Sequence, residues 1–454
     1  MSIDTITSTG TTESTKAVSH SHTPRLPPEL WLIIFRFATS SPITYPGPSS
    51  ESTSHYEPFQ SRHHETTIAL SDAALRDKCA ITLVCRQWHA LAGDMRYEDI
   101  RIGRGMAALH AALSESATTD TDTSSDSPPP SRHRVRRAVL PYAYTATPTC
   151  HAPPALALLA LLPHLEVLVR PPLPPLSSPP PSLHRRTLIP ITTTTTTFSL
   201  PSSPRFEFPT AAPALPALRR LEWAFDETGA AARAGGINSL TDMLKVAPNL
   251  SELVLTGRMP FFTLRQDRQP LRALHTLRLR AGASMCPLLA LQISYWVMPV
   301  LENVVVEGEG RAGLFDLLWG TYGGQMRVVE LVLGGTQCTQ IDDLAMILHD
   351  CPALEELNVR IGVAHLDGFG NRFCAHDALQ CLGICVDSGA QKWSVKTWMP
   401  LAKFVGTWKW CPALRKVVLY VRDVQVAEQD PQFPLFREEL ASRGRQLLLR
   451  SVRT

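Results

Sequence analysis

No stretch of this chain stays apolar for long. The most apolar run, Ala155 to Leu162, stops at Pro163-His164, far short of the ~18 residues that a membrane-spanning helix needs. The first 24 residues are rich in Thr, Ser and His and hold no apolar segment of the secretory kind. Neither sign of charge dominates. There are 44 Lys and Arg against 41 Asp and Glu, a net charge of +3, so neither nucleic acid nor an anionic membrane is the expected partner. The ten cysteines form no paired framework, and the expectation is reduced core thiols in a protein of the cytosol or nucleus. A Gly-rich phosphate loop of the Walker kind, a Gly-x-Ser-x-Gly elbow and a His-Glu-x-x-His pair are all missing. The sequence therefore predicts no cofactor, no metal and no enzymatic activity.

What the chain does have is a repeat. Leu-x-x-Leu-x-Leu, with Ile, Val or an aromatic allowed at each apolar place, recurs at Leu250-Leu253-Leu255, Leu274-Leu277-Leu279, Leu301-Val304-Val306, Val328-Leu331-Leu333 and Leu354-Leu357-Val359. Leu379-Leu382-Ile384 and Leu414-Val417-Leu419 continue it, and Leu218-Leu221-Trp223 precedes it. Weaker copies lie at Tyr97-Ile100-Ile102, Val135-Ala138-Leu140 and Leu165-Leu168. The central steps are 24, 27, 27, 26 and 25 residues, flanked by steps of 32 and 35. Proline stands two places before the first leucine at Pro163, Pro216, Pro248, Pro299, Pro352 and Pro412, where it stops a helix and starts a turn. Helical stretches are expected between copies, as at 236–246, 313–320 and 341–349. A strand plus a helix at a period of 20–29 residues is the pattern of a leucine-rich repeat. Each unit leaves an apolar edge bare, so units stack into a solenoid.

The N-terminal part reads differently. Pro27 and Pro28 pre-set the first helical turn and Glu29 favours the helix dipole there. Leu30, Ile33, Ile34 and Phe37 then share one stripe. Ile81, Val84, Trp88 and Leu91 repeat that spacing on a second helix, with Cys85 expected as an apolar contact on it. Two short helices with such bulky faces leave apolar area for a partner. The pieces Leu26-Pro27-x-Glu29-Leu30, Ile34-Phe35 and Val84-Cys85-x-x-Trp88 resemble an F-box, and Cys-Pro-x-Leu-x-x-Leu at Cys351 and Cys411 resembles the irregular leucine-rich repeats that often follow one. This chain departs from the family pattern in carrying an insert between its two helices.

The resemblance implies a substrate-recognition subunit of an SCF (Skp–cullin–F-box) ubiquitin ligase, with a Skp-type adaptor, a cullin-based ligase and an unknown target protein as partners. Leu26, Pro27, Glu29, Leu30, Ile33, Ile34, Phe35, Val84, Cys85 and Trp88 would form or support the adaptor face. Strand alternation puts Glu252, Val254, Thr276, Arg278, Arg280, Asn303, Glu307, Glu330, Glu356, Asn358, Arg360, Lys416 and Tyr420 on one face. There they would be solvated and would meet the target. A scaffold working outside a ubiquitin ligase remains an alternative, as does an enzyme with a C-terminal pocket at His365, Asp367, His376 and Asp377. Cys374, His376, Cys381 and Cys385 admit a zinc reading, against the plainer one of small residues lining the inner surface.

The expected fold class is α/β. It comprises a disordered tail at 1–24, an all-α F-box-like domain at 25–95 with a low-complexity insert at 40–71, an irregular leucine-rich-repeat solenoid at 96–425, and a C-terminal helical cap at 426–454. Two Pro-, Ser- and Thr-rich inserts, 114–131 and 171–213, are expected to be disordered. The basic run 132–137 is expected to be a strand with solvated cations, and the tryptophans from Trp393 to Trp410 to pack on the last repeats.

Overall fold

The computed structural model describes residues 26–39, 58–59, 64–102, 106–118, 134–140, 155–170, 214–225, 240–257, 268, 270–281, 286–309, 315–334, 341–362, 375–387, 395–407 and 411–452. The expectations for 1–24, 40–57, 119–131 and 171–213 lie outside these residues.

The fold is mixed α/β around one open sheet of twelve parallel strands, ordered β1 to β12 as in the chain. They are β1 (Asp99–Arg101), β2 (Arg137–Val139), β3 (Val167–Arg170), β4 (Arg220–Phe225), β5 (Glu252–Gly257), β6 (Thr276–Ala281), β7 (Asn303–Glu309), β8 (Val328–Gly334), β9 (Glu356–Gly362), β10 (Cys381–Asp387), β11 (Lys416–Val421) and β12 (Gln446–Ser451). Three helices precede the sheet: α1 (Pro28–Ala38), α2 (His64–Val84) and α3 (Arg86–Ala92). The remainder lie between strands: α4 (Met106–Thr118), α5 (Ala155–Ala160), α6 (Leu240–Val246), α7 (Cys286–Ser294), α8 (Asp316–Tyr322), α9 (Ile341–Asp350), α10 (Val395–Thr407), α11 (Val424–Glu428) and α12 (Gln432–Ser442).

The leucine pattern produces this sheet because its second and third apolar places fall in register across neighbours. Leu168, Leu221, Leu253, Leu277, Val304, Val329, Leu357, Leu382 and Val417 form one unbroken row, and none of them has exposed surface. In β8 the copy expected at Val328-Leu331-Leu333 is corrected by two residues: Met326, Val329 and Leu331 fill the three places, because Val329 and Leu331 are the residues in register with Val304 and Val306. Helix residues such as Leu158, Met243, Ile293, Leu318 and Ile347 join the same core. Each such side chain contributes roughly 1.5–3 kcal/mol by leaving water, so the stack itself stabilises the fold.

The prolines sit where the spacing predicts, each in a turn. The first leucine of each unit closes that turn: Leu165 N–H donates to the Leu162 carbonyl, Leu218 to Leu215, Leu250 to Ala247, Leu301 to Met298, Leu354 to Cys351 and Leu414 to Cys411, at 3.1–3.4 Å. Proline is the second residue of each turn, where its fixed φ is already correct. In the unit of β10 no proline is present, and His376 does the work. Its Nδ1 accepts from Leu379 N–H at 3.1 Å.

Four further expectations are corrected. The helix expected through Cys85 breaks there. Cys85 has φ −160° and ψ 166°, and its Sγ caps α3 by accepting from Trp88 N–H at 3.4 Å. The insert expected to reach residue 71 ends earlier, since α2 begins at His64. The insert expected to begin at 114 instead opens with the last turn of α4. The helical end at 426–454 carries α11 and α12 but closes with β12, paired to β11.

Candidate functional site

Two surfaces stand apart from the core. The first is the outer side of α1 and the end of α2. Pro27, extended at φ −55° and ψ 145°, precedes α1, and Pro28 and Glu29 occupy its first turn. Trp31 and Phe35 turn inward and meet Trp88 of α3, with ring centroids 4.9 and 4.8 Å away. Phe35, Ala92 and Met95 are the buried centre of this cluster, and Ile81 and Leu91 pack around it. Of the residues assigned to the adaptor face, Phe35 is buried and Trp88 half-buried, so both support the face from below. Leu26, Pro27, Glu29, Leu30, Ile33, Ile34, Val84 and Cys85 are exposed. Ile33 is 62% exposed, Phe37 84% and Leu83 82%. Leu83 lies off the stripe of Ile81, Val84, Trp88 and Leu91, and helical spacing alone does not show its exposure.

The second surface is the sheet face away from the helices. All the strand residues assigned to it by alternation lie there, as the register requires: Glu252, Thr276 and Asn303 share one row, Val254 and Arg278 a second, and Arg280 and Glu307 a third. Glu330 pairs with Asn358; Glu356 pairs with Cys381, which in turn pairs with Lys416; and Arg360 pairs with Cys385, which in turn pairs with Tyr420. Their expected solvation is overturned. Glu307 is buried and accepts from both Arg278 Nη1, at 2.5 Å, and Arg280 Nε, at 2.9 Å. Asn303 donates to Thr276 Oγ1 at 3.2 Å. Glu330, Asn358 and Tyr420 are buried too.

The same face carries ion pairs toward the N-terminus. Arg220 reaches both Glu222, at 2.7 Å, and Glu252, at 3.2 Å. Burial alone would pull the Arg220 guanidinium down, and the two carboxylates outweigh it and hold it above its ordinary value. Arg137, from the run expected to be solvated, is buried in β2 and bonded to both oxygens of Asp99 at 2.7 and 2.9 Å. Arg136 is partly exposed and pairs with Glu166 at 2.7 Å.

Toward the C-terminus the face turns apolar. Cys385, Val418 and Tyr420 are buried together with Phe59, and Val332, Cys381, Leu448 and Val452 pack around them. Phe59 comes from the segment between α1 and α2, and its edge meets Tyr420 with centroids 4.7 Å apart. Burial, with Glu356 adding to it, pushes the Cys381 thiol up to about 11, which leaves it protonated and unreactive near neutral pH. Burial likewise lifts the Glu330 carboxyl to about 8, Phe59 N–H opposing and Glu356 adding.

His376 has both nitrogens committed to the backbone. A backbone N–H can only donate and a carbonyl can only accept, so Nδ1 accepts from Leu379 and Nε2 donates to the Cys351 carbonyl at 2.9 Å. That use is structural. Cys374, His365 and Asp367 lie outside the described residues, as do Trp393, Trp408 and Trp410. Trp398 packs on Phe433 and Phe436 of α12.

A scan against protein-family models gives no match for this chain, and a search of curated proteins gives none. Among the described residues no helix is long and apolar enough to cross a membrane.

Proposed function

We propose that this protein is the target-recognition subunit of an SCF-type ubiquitin ligase: an F-box-like helical module that docks a Skp-type adaptor, followed by an irregular leucine-rich-repeat solenoid that holds a target protein. The observation that carries the reading is the set of apolar side chains Leu26, Leu30, Ile33, Ile34, Phe37, Leu83 and Val84, all exposed on a module whose described buried cluster is small, built on Phe35, Ala92 and Met95. Contiguous apolar surface of that kind is characteristic of an interaction site. In this reading the chain does no chemistry. It raises the effective concentration of a target beside the ubiquitin-charged enzyme.

The test is a double substitution, Leu26→Asp with Ile33→Asp, followed by pull-down of a Skp-type adaptor. Both positions are exposed, so the module keeps its fold, whereas Trp88→Asp would unseat the aromatic cluster. Desolvating two unpaired carboxylates costs several kcal/mol, enough to end a micromolar contact. Adaptor capture equal to that of the unaltered chain would reject the reading. Adaptor capture without cullin would point instead to a scaffold outside a ligase.

A further inference from the structure

The apolar patch at the C-terminal end of the sheet face is already occupied, by this chain itself. Pro58 and Phe59 are both buried there, although Phe59 lies 271 residues away in sequence from Glu330, whose Oε2 accepts its backbone N–H at 3.1 Å. The ring is buried with Cys385, Val418 and Tyr420 and stands edge-on against Tyr420 at 64°. Phe59 has φ 56°, a left-handed conformation that a phenylalanine holds only when its surroundings over-determine it. The pocket floor is also specialised. The Asn358 side chain lies over Gly383, where an added Cβ would stand 1.8 Å from Asn358 Oδ1. That buried oxygen meets no hydrogen-bond donor, so the floor holds an acceptor that the present occupant does not use.

One inserted aromatic ring and one backbone N–H captured by a buried carboxyl oxygen match the means by which proteins read short linear segments: apolar anchors in pockets give affinity and main-chain bonds give direction. Elsewhere on the face, charged side chains are taken up by one another at Glu222, Glu252 and Glu307.

We propose that this pocket, formed by Glu330, Asn358, Cys385, Val418 and Tyr420, is a recognition site for a linear peptide segment presenting a phenylalanine and its backbone N–H. Pro58-Phe59 fills it in cis and must be displaced before another segment enters. That the displacing segment belongs to a ligase target rests on the receptor reading above; the pocket itself does not. A cis occupant lowers the apparent affinity of any competitor by the fraction of time it is seated.

The experiment uses the full chain and a fluorescent peptide of residues 54–63, which contains the Pro58-Phe59 pair. Phe59→Ala should bind this peptide at least tenfold more tightly than the unaltered chain. A peptide with alanine in place of its phenylalanine should not bind. In the unaltered chain, excess peptide should slow alkylation of Cys385 as followed site by site by mass spectrometry, because the thiol lies under the ring. This second measurement decides the matter if Phe59→Ala does not fold. A folded Phe59→Ala that ignores the peptide, or Cys385 alkylation that the peptide leaves unchanged, would overturn the proposal and make Phe59 a packing residue. Failure of the unaltered chain to capture a Skp-type adaptor, with peptide binding intact, would sink the receptor reading alone.

Discussion

Ile33 in α1 is 62% exposed, and Ile384 in β10 is not exposed at all. The two side chains are the same, and the difference lies in what the backbone around them supplies. Every strand from β2 to β11 has a neighbour on each side and helices over one face, so an apolar residue at the right parity is covered whichever unit it belongs to. Among its described residues the α1–α3 module has one small internal cluster, built on Phe35, Ala92 and Met95. Leu26, Leu30, Ile33, Ile34, Phe37, Leu83 and Val84 lie outside it and are exposed. The sheet is stabilised by stacking. The helices carry more apolar surface than their described cluster covers, and the proposed adaptor contact rests on that excess.

The comparison predicts its largest effect inside the sheet. Trp223 is fully buried in β4, with the Arg170 guanidinium 4.7 Å over its ring. Trp223→Ala should cost about 3–5 kcal/mol, read by urea unfolding with a fixed m-value. A loss below about 1 kcal/mol would mean that units of the stack relax around a hole, and that the contrast with the helices is weaker than burial implies.

A smaller effect should separate the two ends of the sheet face by pH. Glu330 is buried and its carboxyl is held near 8, against an unperturbed value of 4.5. Between these values the folded chain keeps a proton that the unfolded chain has released. The stability tied to this group is therefore fully present below 4.5 and declines as pH rises toward 8. Glu330→Gln, a neutral isostere that can still accept from Phe59 N–H, should lack this slope. Its advantage over the unaltered chain should grow between pH 5 and 8, up to the order of a few kcal/mol. Parallel stability curves for the two chains would show that Glu330 ionises in the fold without penalty.

Much of the sheet was legible in the sequence because its two signals are local. Leu-x-x-Leu-x-Leu reports a strand buried on one face, and proline two residues earlier reports the turn. β12 was missed for the same reason in reverse: Leu447-Leu448-Leu449 hides alternation behind three consecutive leucines, and its turn uses Gly444 at φ 70° instead of proline. The parity of the face residues was legible as well, but not their burial. Arg280 and Glu307 occupy the same place in successive units, so register alone brings them side by side and lets each satisfy the other. That signal was available once the copies were aligned. The seat of Phe59 was not, because nothing local in Glu57-Pro58-Phe59-Gln60 says that the ring crosses to strands near the other end of the chain.

The smallest expected change tests the helical side of the comparison. Ile33→Ala and Leu83→Ala together remove two large side chains that already face water, so little apolar area is lost from the folded state. Alanine also suits a helix interior at least as well as isoleucine or leucine. Each substitution should shift stability by no more than about 0.5 kcal/mol, an order of magnitude below Trp223→Ala, while adaptor capture weakens. Thermal melting of the double variant beside the unaltered chain reads this directly. Should the pair cost as much as the tryptophan, the outer side of α1 and α2 would be covered by this chain's own residues in solution. The excess apolar surface would then be part of the fold, and the adaptor reading would lose the observation on which it stands.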